Sequence, residues 1–391
     1  MNGQEKLMEI KENILKNKLA KKTTANLLTS LVFKLNKMCN LNCSYCYVDC
    51  ETGGPQIKLE VFKKILSSID LNKYSGDRKL VLILHGGEPL ISYQLIKDIV
   101  QYIQKNGLDD HISINLQSNG VLINEEMIAF FKKHNIGFGI SIDGYNDQTN
   151  VGRVFYDGTN SFTAVDKAID LCIKNDFKPG IATVISHSNV DYMLEFCEYL
   201  KNKGINSVVF NVLVPHGRAS SLEFPVEKYI EASKKVYDWM NEQSIQGFKI
   251  TERNLDHLHR KIFNGGSNYM CLNAPCGAGI NTLGFDLDGS IYICDQFVGD
   301  ENFIIGHIDK NLKQVINEPL SIKLIKQFQN RDFSHIESCV KCSYRYICPL
   351  GCPAQVVYRD KSLSATPPLC EYYKAMITYM ISKKGVKACS D

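Results

Sequence analysis

The chain lacks any apolar run that could cross a membrane. Its longest aliphatic stretch, LVLIL at 80–84, falls far short of the roughly 18 residues a span needs. An export signal is missing too, because the opening MNGQEKLMEIKENILKNKLAKK carries charges throughout and no apolar core followed by a small-residue cleavage site. These two absences predict a cytoplasmic protein with no membrane partner. Charge of one sign is also scarce: 45 Lys and Arg face 42 Asp and Glu, for a net +3. The lysines are scattered rather than gathered into a patch, which argues against nucleic acid. With only 11 prolines, 44% hydrophobic residues and no internal repeat, disorder and fibrous classes are excluded. At 391 residues burial is not limiting, and more than one structural unit is expected.

What the chain has in excess is cysteine, 15 in all. The cytosol keeps thiols reduced, so clustered cysteines there more often ligate metal than form disulfides. Cys172 and Cys197 lie in helical patterns and read as packed apolar side chains. Cys50 and Cys389 have no partner at ligand spacing. The remaining eleven fall into two groups, one near the start and one in the tail.

Between 31 and 214 short apolar runs alternate with amphipathic stretches. The runs are LVFKL, LVLILHGGEP, ISINLQSNG, IGFGISIDG, PGIATVIS and SVVFNVLVP, with helical patterns from about Leu59, Tyr93, Asn124, Ser161 and Val190. Six strands alternating with helices predict an α/β fold with a parallel sheet, either open and doubly wound or a partial barrel. Both place functional residues at the C-terminal strand ends. Cys39, Gly86 to Pro89, Ser118 to Gly120, Ser141 to Gly144 and Pro215 to Arg218 all stand there. The expected organisation is a lysine-rich helical flank at 1–30, the sheet domain at 31–224, a bridging helical segment at 225–265 and a cysteine-rich domain at 266–391. Its boundary lies near NGGSN, and the tail from Met270 holds nine cysteines.

Cys39, Cys43 and Cys46 follow the first strand at x3 and x2 spacing. Three thiolates on one tight loop can hold three irons of a [4Fe–4S] cluster and leave the fourth open to another ligand. A zinc knuckle is the alternative, but structural zinc is usually closed by four Cys or His ligands, and no histidine lies nearby.

The segment CNLNCSYCY, with Tyr45 before the last cysteine, resembles the signature of the radical S-adenosylmethionine (SAM) enzymes. The resemblance covers about 31–215 and implies a partial, TIM-like (β/α)6 barrel. It further implies that SAM chelates the open iron through its amino and carboxylate groups. One electron then cleaves SAM to methionine and a 5′-deoxyadenosyl radical, which abstracts a hydrogen atom. HGGEP resembles the family's glycine-rich motif, where Gly86 and Gly87 let backbone approach the methionine amino group and Glu88 adds charge. SIDG resembles the segment that reaches ribose and carboxylate through Ser141 and Asp143. Ser118 in QSNG meets the same region or the substrate. Arg153 stands where relatives carry an arginine for the SAM carboxylate, a role a surface salt bridge rivals.

In the tail, Cys276 is followed by Gly289 and Cys294. Next comes CVKCSYRYICPLGC, which holds Cys339, Cys342, Cys348 and Cys352, and then Cys370. This pattern resembles the SPASM extension of radical SAM maturases. The resemblance implies two interleaved [4Fe–4S] clusters, one on Cys271, Cys276, Cys294 and Cys352 and the other on Cys339, Cys342, Cys348 and Cys370. With the SAM cluster that makes three. A pair of zinc sites is the rival for the tail alone. Spacing at Cys271 varies among relatives, and without that ligand one auxiliary iron would stand open to substrate.

Asp295, directly after Cys294, stands where the anaerobic sulfatase-maturing enzymes carry a base. It is either that base or an acceptor that orients amides around the cluster. PCGAG at 275–279 and DQFVGDENF at 295–303 look more like the maturases that crosslink ribosomally made peptides. The leading expectation is therefore a precursor-peptide maturase that forms a thioether or other side-chain crosslink. The second is oxidation of a cysteine or serine in a nascent sulfatase to formylglycine, and the third, of another class, is a non-catalytic Fe–S electron carrier. A reductant such as flavodoxin or ferredoxin is implied. With only about thirty residues before Leu31, leader recognition would fall to a separate protein or to the barrel itself.

Overall fold

The computed structural model describes residues 28–48, 50–264 and 269–383. Nearly all of the lysine-rich flank, most of the NGGSN boundary and Cys389 lie outside the described residues.

The six expected strands form as β1 (Ser30–Lys34), β2 (Leu80–His85), β3 (Ile112–Ser118), β4 (Gly137–Ser141), β5 (Gly180–Ile185) and β6 (Ser207–Val212). Each pairs in parallel with the next. Period-two burial sets the register: Leu80, Leu82 and Leu84 of β2 are fully buried, while Val81, Ile83 and His85 on the other face are partly exposed. The intervening helices cover one face. Phe62 and Ile65 of the helix Leu59–Ser67 and Ile96 and Ile99 of Tyr93–Lys105 are completely buried. Each such side chain contributes about 1.5–3 kcal/mol.

The sheet does not stop at the sixth strand. A short β7 (Thr251–Glu252) adds in parallel to β6. At the opposite edge the cysteine-rich tail supplies β8 (Thr282–Phe285), parallel to β1, followed by the antiparallel β9 (Ser290–Tyr292) and β10 (Ile304–His307). The order β10-β9-β8-β1-β2-β3-β4-β5-β6-β7 makes one open mixed sheet of ten strands. Stacked rings of Phe33 and Phe285, 4.9 Å apart, pin β8 to β1. The closing helix Cys370–Ser382 packs on Val226–Ile245 through Tyr372 and Tyr229, 4.7 Å between ring centres. The tail is thus built onto the barrel's first strand. Among the described residues no helix is long and apolar enough to cross a membrane.

Candidate functional site

The loop holding Cys39, Cys43 and Cys46 is fixed from three sides. Its start is clamped to the β2 end, where Gly87 N–H donates to the Asn36 carbonyl (3.0 Å) and Glu88 N–H to that of Met38 (2.6 Å). Only glycine fits there: a Cβ on Gly87 would stand 2.1 Å from the Met38 oxygen, and Gly86 has φ +142°. Its middle is tied to the 152–154 segment by Asn42 N–H to Val154 O (2.7 Å) and Ser44 N–H to Gly152 O (2.9 Å). From the β6 end Arg218 donates to the carbonyls of Cys43 (3.0 Å) and Cys50 (3.3 Å) and to the Asn42 side chain.

Cys50 belongs with this group. The chain returns along 36–39, with Cys39 N–H donating to Glu51 O (2.8 Å), and brings the Cys50 thiol within hydrogen-bond reach of Cys39 and Cys46. That hydrogen bond lowers the pKa of Cys39. Spacing along the sequence gave no signal for it, because the contact is made by loop closure rather than by a ligand repeat.

Around the loop, the strand-end side chains are interlocked. Glu88 is buried and accepts from Leu90 N–H (2.9 Å), Ser118 hydroxyl (2.7 Å) and Asn119 N–H (2.7 Å). Burial nonetheless outweighs these donors and pushes its carboxyl up to about 7. Ser118 thus spends its proton on Glu88. Asn119 in turn reaches the Asn40 side chain (2.7 Å). Ser141 accepts from Gln117 (2.8 Å), a residue the sequence reading passed over. Asp143 and Arg153 form a buried ion pair with Arg153 Nε 3.1 Å from Asp143 Oδ1. Nε lacks hydrogen-bond alignment, so the contact is chiefly Coulombic. Asp143 also accepts from Val184 N–H (3.0 Å) and from the Tyr45 hydroxyl, and the Arg153 guanidinium lies over the Tyr45 ring. Burial pushes the neighbouring Cys43 thiol up to about 12, with Arg153 opposing. Arg153 is therefore buried beside the cysteine loop rather than on the surface.

The tail cysteines gather into two sets. Cys271, Cys276, Cys294 and Cys352 are electrostatic neighbours, each raised chiefly by burial; for Cys271, Cys276 and Cys294 repulsion from others of the set adds to it. Cys339, Cys342, Cys348 and Cys370 form the second set. Backbone N–H groups aim at sulfur in both, Leu350 at Cys348 (3.4 Å) and Ala354 and Gln355 at Cys352. Leu41 N–H does the same for Cys39 in the barrel loop (3.4 Å). Among the described residues no three His, Cys, Asp or Glu side chains close around a single ion. Soft thiols, some with N–H groups aimed at sulfur, are donors that suit an iron–sulfur cluster.

One carboxylate links barrel and tail. Asp295 accepts from the Cys294 thiol (3.0 Å) and from Gln296 (3.0 Å), and its charge acts on Lys34, Tyr47 and His85 at the barrel strand ends. Burial lowers the pKa of both Lys34 and His85, and Asp295 raises each. Lys34 is anchored by a 2.7 Å bond to the Val298 carbonyl. The available signals for these two were a lysine inside an apolar strand run and a histidine just before Gly86.

Residues 34–200 match the radical SAM superfamily and residues 276–343 the SPASM iron–sulfur cluster-binding domain. The cysteine-type anaerobic sulfatase-maturating enzyme of Clostridium perfringens is 26% identical over 368 residues, 90% of this chain and 96% of the relative. The serine-type enzyme of Klebsiella aerogenes is 22% identical, covering 83% and 80%. Among solved structures, native anSMEcpe with bound AdoMet and Cp18Cys peptide superposes with a TM-score of 0.79 at 24% identity, over 90% of this chain and 97% of that one. Streptococcus suis SuiB bound to precursor peptide SuiA gives 0.65 at 16%, over 92% and 80%. These likenesses establish the fold. With two family domains matched in order, over segments that hold the three-cysteine loop and four of the tail cysteines, the chain is a radical SAM enzyme with a C-terminal SPASM iron–sulfur domain.

Proposed function

We propose that the protein oxidises a side chain of a peptide or protein substrate by two electrons. Cys39, Cys43 and Cys46 would hold the SAM-binding cluster, and the two tail sets would hold the auxiliary clusters. Bound SAM would supply a hydrogen-abstracting radical, and auxiliary clusters would supply an acceptor for the second electron. The chain's own contribution is positioning and proton transfer. Gly86 and Gly87 leave backbone room at the β2 end, Arg153 and Ser141 offer a cation and a hydroxyl near the loop, and Asp295 takes the proton lost from the oxidised residue. The observation that carries this reading is the location of Asp295. It touches Cys294 of the first tail set and acts on Tyr47, Lys34 and His85 of the barrel, so one base borders both. Four thiols in each tail set favour closed clusters that receive electrons without binding the substrate.

Closure of the oxidised carbon onto a thiol or another side chain gives a crosslink, the product favoured by the PCGAG and DQFVGDENF segments. Formylglycine is the second reading, favoured by the carboxylate at 295 and by sulfatase-maturating relatives that match almost end to end. Both need a one-electron donor such as flavodoxin or ferredoxin, and the first can need a separate leader-recognition protein. Mass spectrometry after anaerobic incubation with SAM, reductant and two peptides separates them. A precursor peptide encoded beside the gene that loses two hydrogens, with a blocked thiol and no aldehyde, establishes crosslinking. A hydrazine-reactive aldehyde on a sulfatase-motif peptide establishes formylglycine formation. SAM consumed with neither peptide changed on any residue contradicts both.

A further inference from the structure

Arg331 sits between the two tail sets, and nothing in the proposed oxidation uses it. It follows the helix Pro319–Gln329 and is only 4% exposed. Its guanidinium donates to two carbonyls, Nε to Leu363 (3.1 Å) and Nη2 to Leu350 (3.2 Å). Among the described residues no carboxylate pairs with it. Burying an unpaired cation is expensive, so an anionic neighbour has to offset it. The groups whose negative charge would act on Arg331, once iron holds them as thiolates, are cysteine sulfurs from both sets, Cys352 and Cys276 of the first and Cys339 and Cys348 of the second; burial, the larger effect, lowers its pKa.

Leu350 is the midpoint of the segment CPLGC, which joins Cys348 of one set to Cys352 of the other. The turn there is demanding, with Leu350 at φ +63° and Gly351 at +69°. Leu350 N–H points at the Cys348 sulfur while its carbonyl receives Arg331. A second bond from the same helix end, Gln329 to the Cys276 carbonyl (3.1 Å), holds the first set from the other side. The guanidinium is thus fixed at the seam by the backbone of the very segment the two sets share.

We propose that Arg331 is the shared counter-cation of the two auxiliary clusters, a positioning residue that raises the reduction potential of both. A fixed positive charge favours the more negative, reduced state of each cluster, and in a dry interior it is weakly screened. It makes the domain a better acceptor for the electron leaving the substrate. This rests on the reading that the eight tail cysteines hold two clusters, but not on which peptide is modified.

The test uses the full-length protein carrying Cys39→Ala, Cys43→Ala and Cys46→Ala, so that the tail clusters alone titrate. Iron is counted first; absence of tail iron in this background would overturn the cluster reading itself, separately from Arg331. Each cluster is then followed by EPR through a mediated titration in which every centre takes one electron. Arg331→Gln is expected to shift the reduced-to-oxidised ratio at a fixed potential roughly tenfold toward oxidised for both clusters, which is about 59 mV for a one-electron couple. Arg331→Lys is expected to hold both near the parent value. If Arg331→Gln loses tail iron while Arg331→Lys keeps it, charge compensation is equally supported. Unchanged potentials in Arg331→Gln, a shift in one cluster only, equal shifts in both variants, or iron loss in both would overturn the proposal.

Discussion

Asp295→Asn is expected to stop product formation while SAM is still cleaved. Loss of a positioned general base lowers the rate by about 10²–10⁴-fold, and among the described residues Asp295 makes no side-chain hydrogen bond to the barrel cysteine loop. Its carboxylate touches Cys294 and Gln296 and acts on Lys34, Tyr47 and His85. The isosteric amide keeps the size and one acceptor, so iron content should hold. The diagnostic result is uncoupling: 5′-deoxyadenosine accumulates and the substrate peptide gains no two-electron change. If product forms at the parent rate, Asp295 is an acceptor that orients neighbouring amides rather than the base. If instead tail iron is lost, Asp295 supports the first tail set structurally.

The second large effect concerns stability. Asp143→Ala leaves the Arg153 guanidinium buried without its partner, the two side chains being 3% and 9% exposed. Breaking one side of such a pair costs about 3–5 kcal/mol. Replacing both members with apolar residues, Asp143→Ala with Arg153→Met, should recover most of that loss, because the cost lies in the stranded charge rather than in the missing attraction. Denaturant unfolding of the apoprotein measures both. Equal destabilisation by the single and double variants would mean that Asp143 matters through Val184 N–H and Tyr45, its other partners, and not through Arg153.

Local signals were the ones the sequence carried well. Strands announced themselves by short apolar runs, and Cys39, Cys43 and Cys46 by a spacing that only a tight loop requires. The two tail sets came from resemblance rather than from any spacing read on its own. What could not be read depends on contacts between distant segments. β8 joins β1 across some 250 residues, so the barrel and the tail share one sheet where the sequence offered only a boundary. Cys50 reaches Cys39 by a return of the chain, and Arg218 reaches the same loop from the far end of β6. Arg331 gave no sign at all, since a single arginine after an amphipathic helix has the same sequence whether it faces water or two cysteine sets. Ser118 and Glu88, expected at the cofactor, also bond to each other. They act on the site by locking the β2 and β3 ends together.

The account stands on a three-cluster radical enzyme, and the most direct measurement is iron content with SAM turnover in the same anaerobic sample. The reconstituted chain is expected to hold about twelve irons and, with reductant, to convert SAM to equal amounts of 5′-deoxyadenosine and methionine. Cys43→Ala should keep the tail irons and form no nucleoside. Zinc in place of iron, or an intact SAM pool in the reduced, iron-loaded protein, would contradict it.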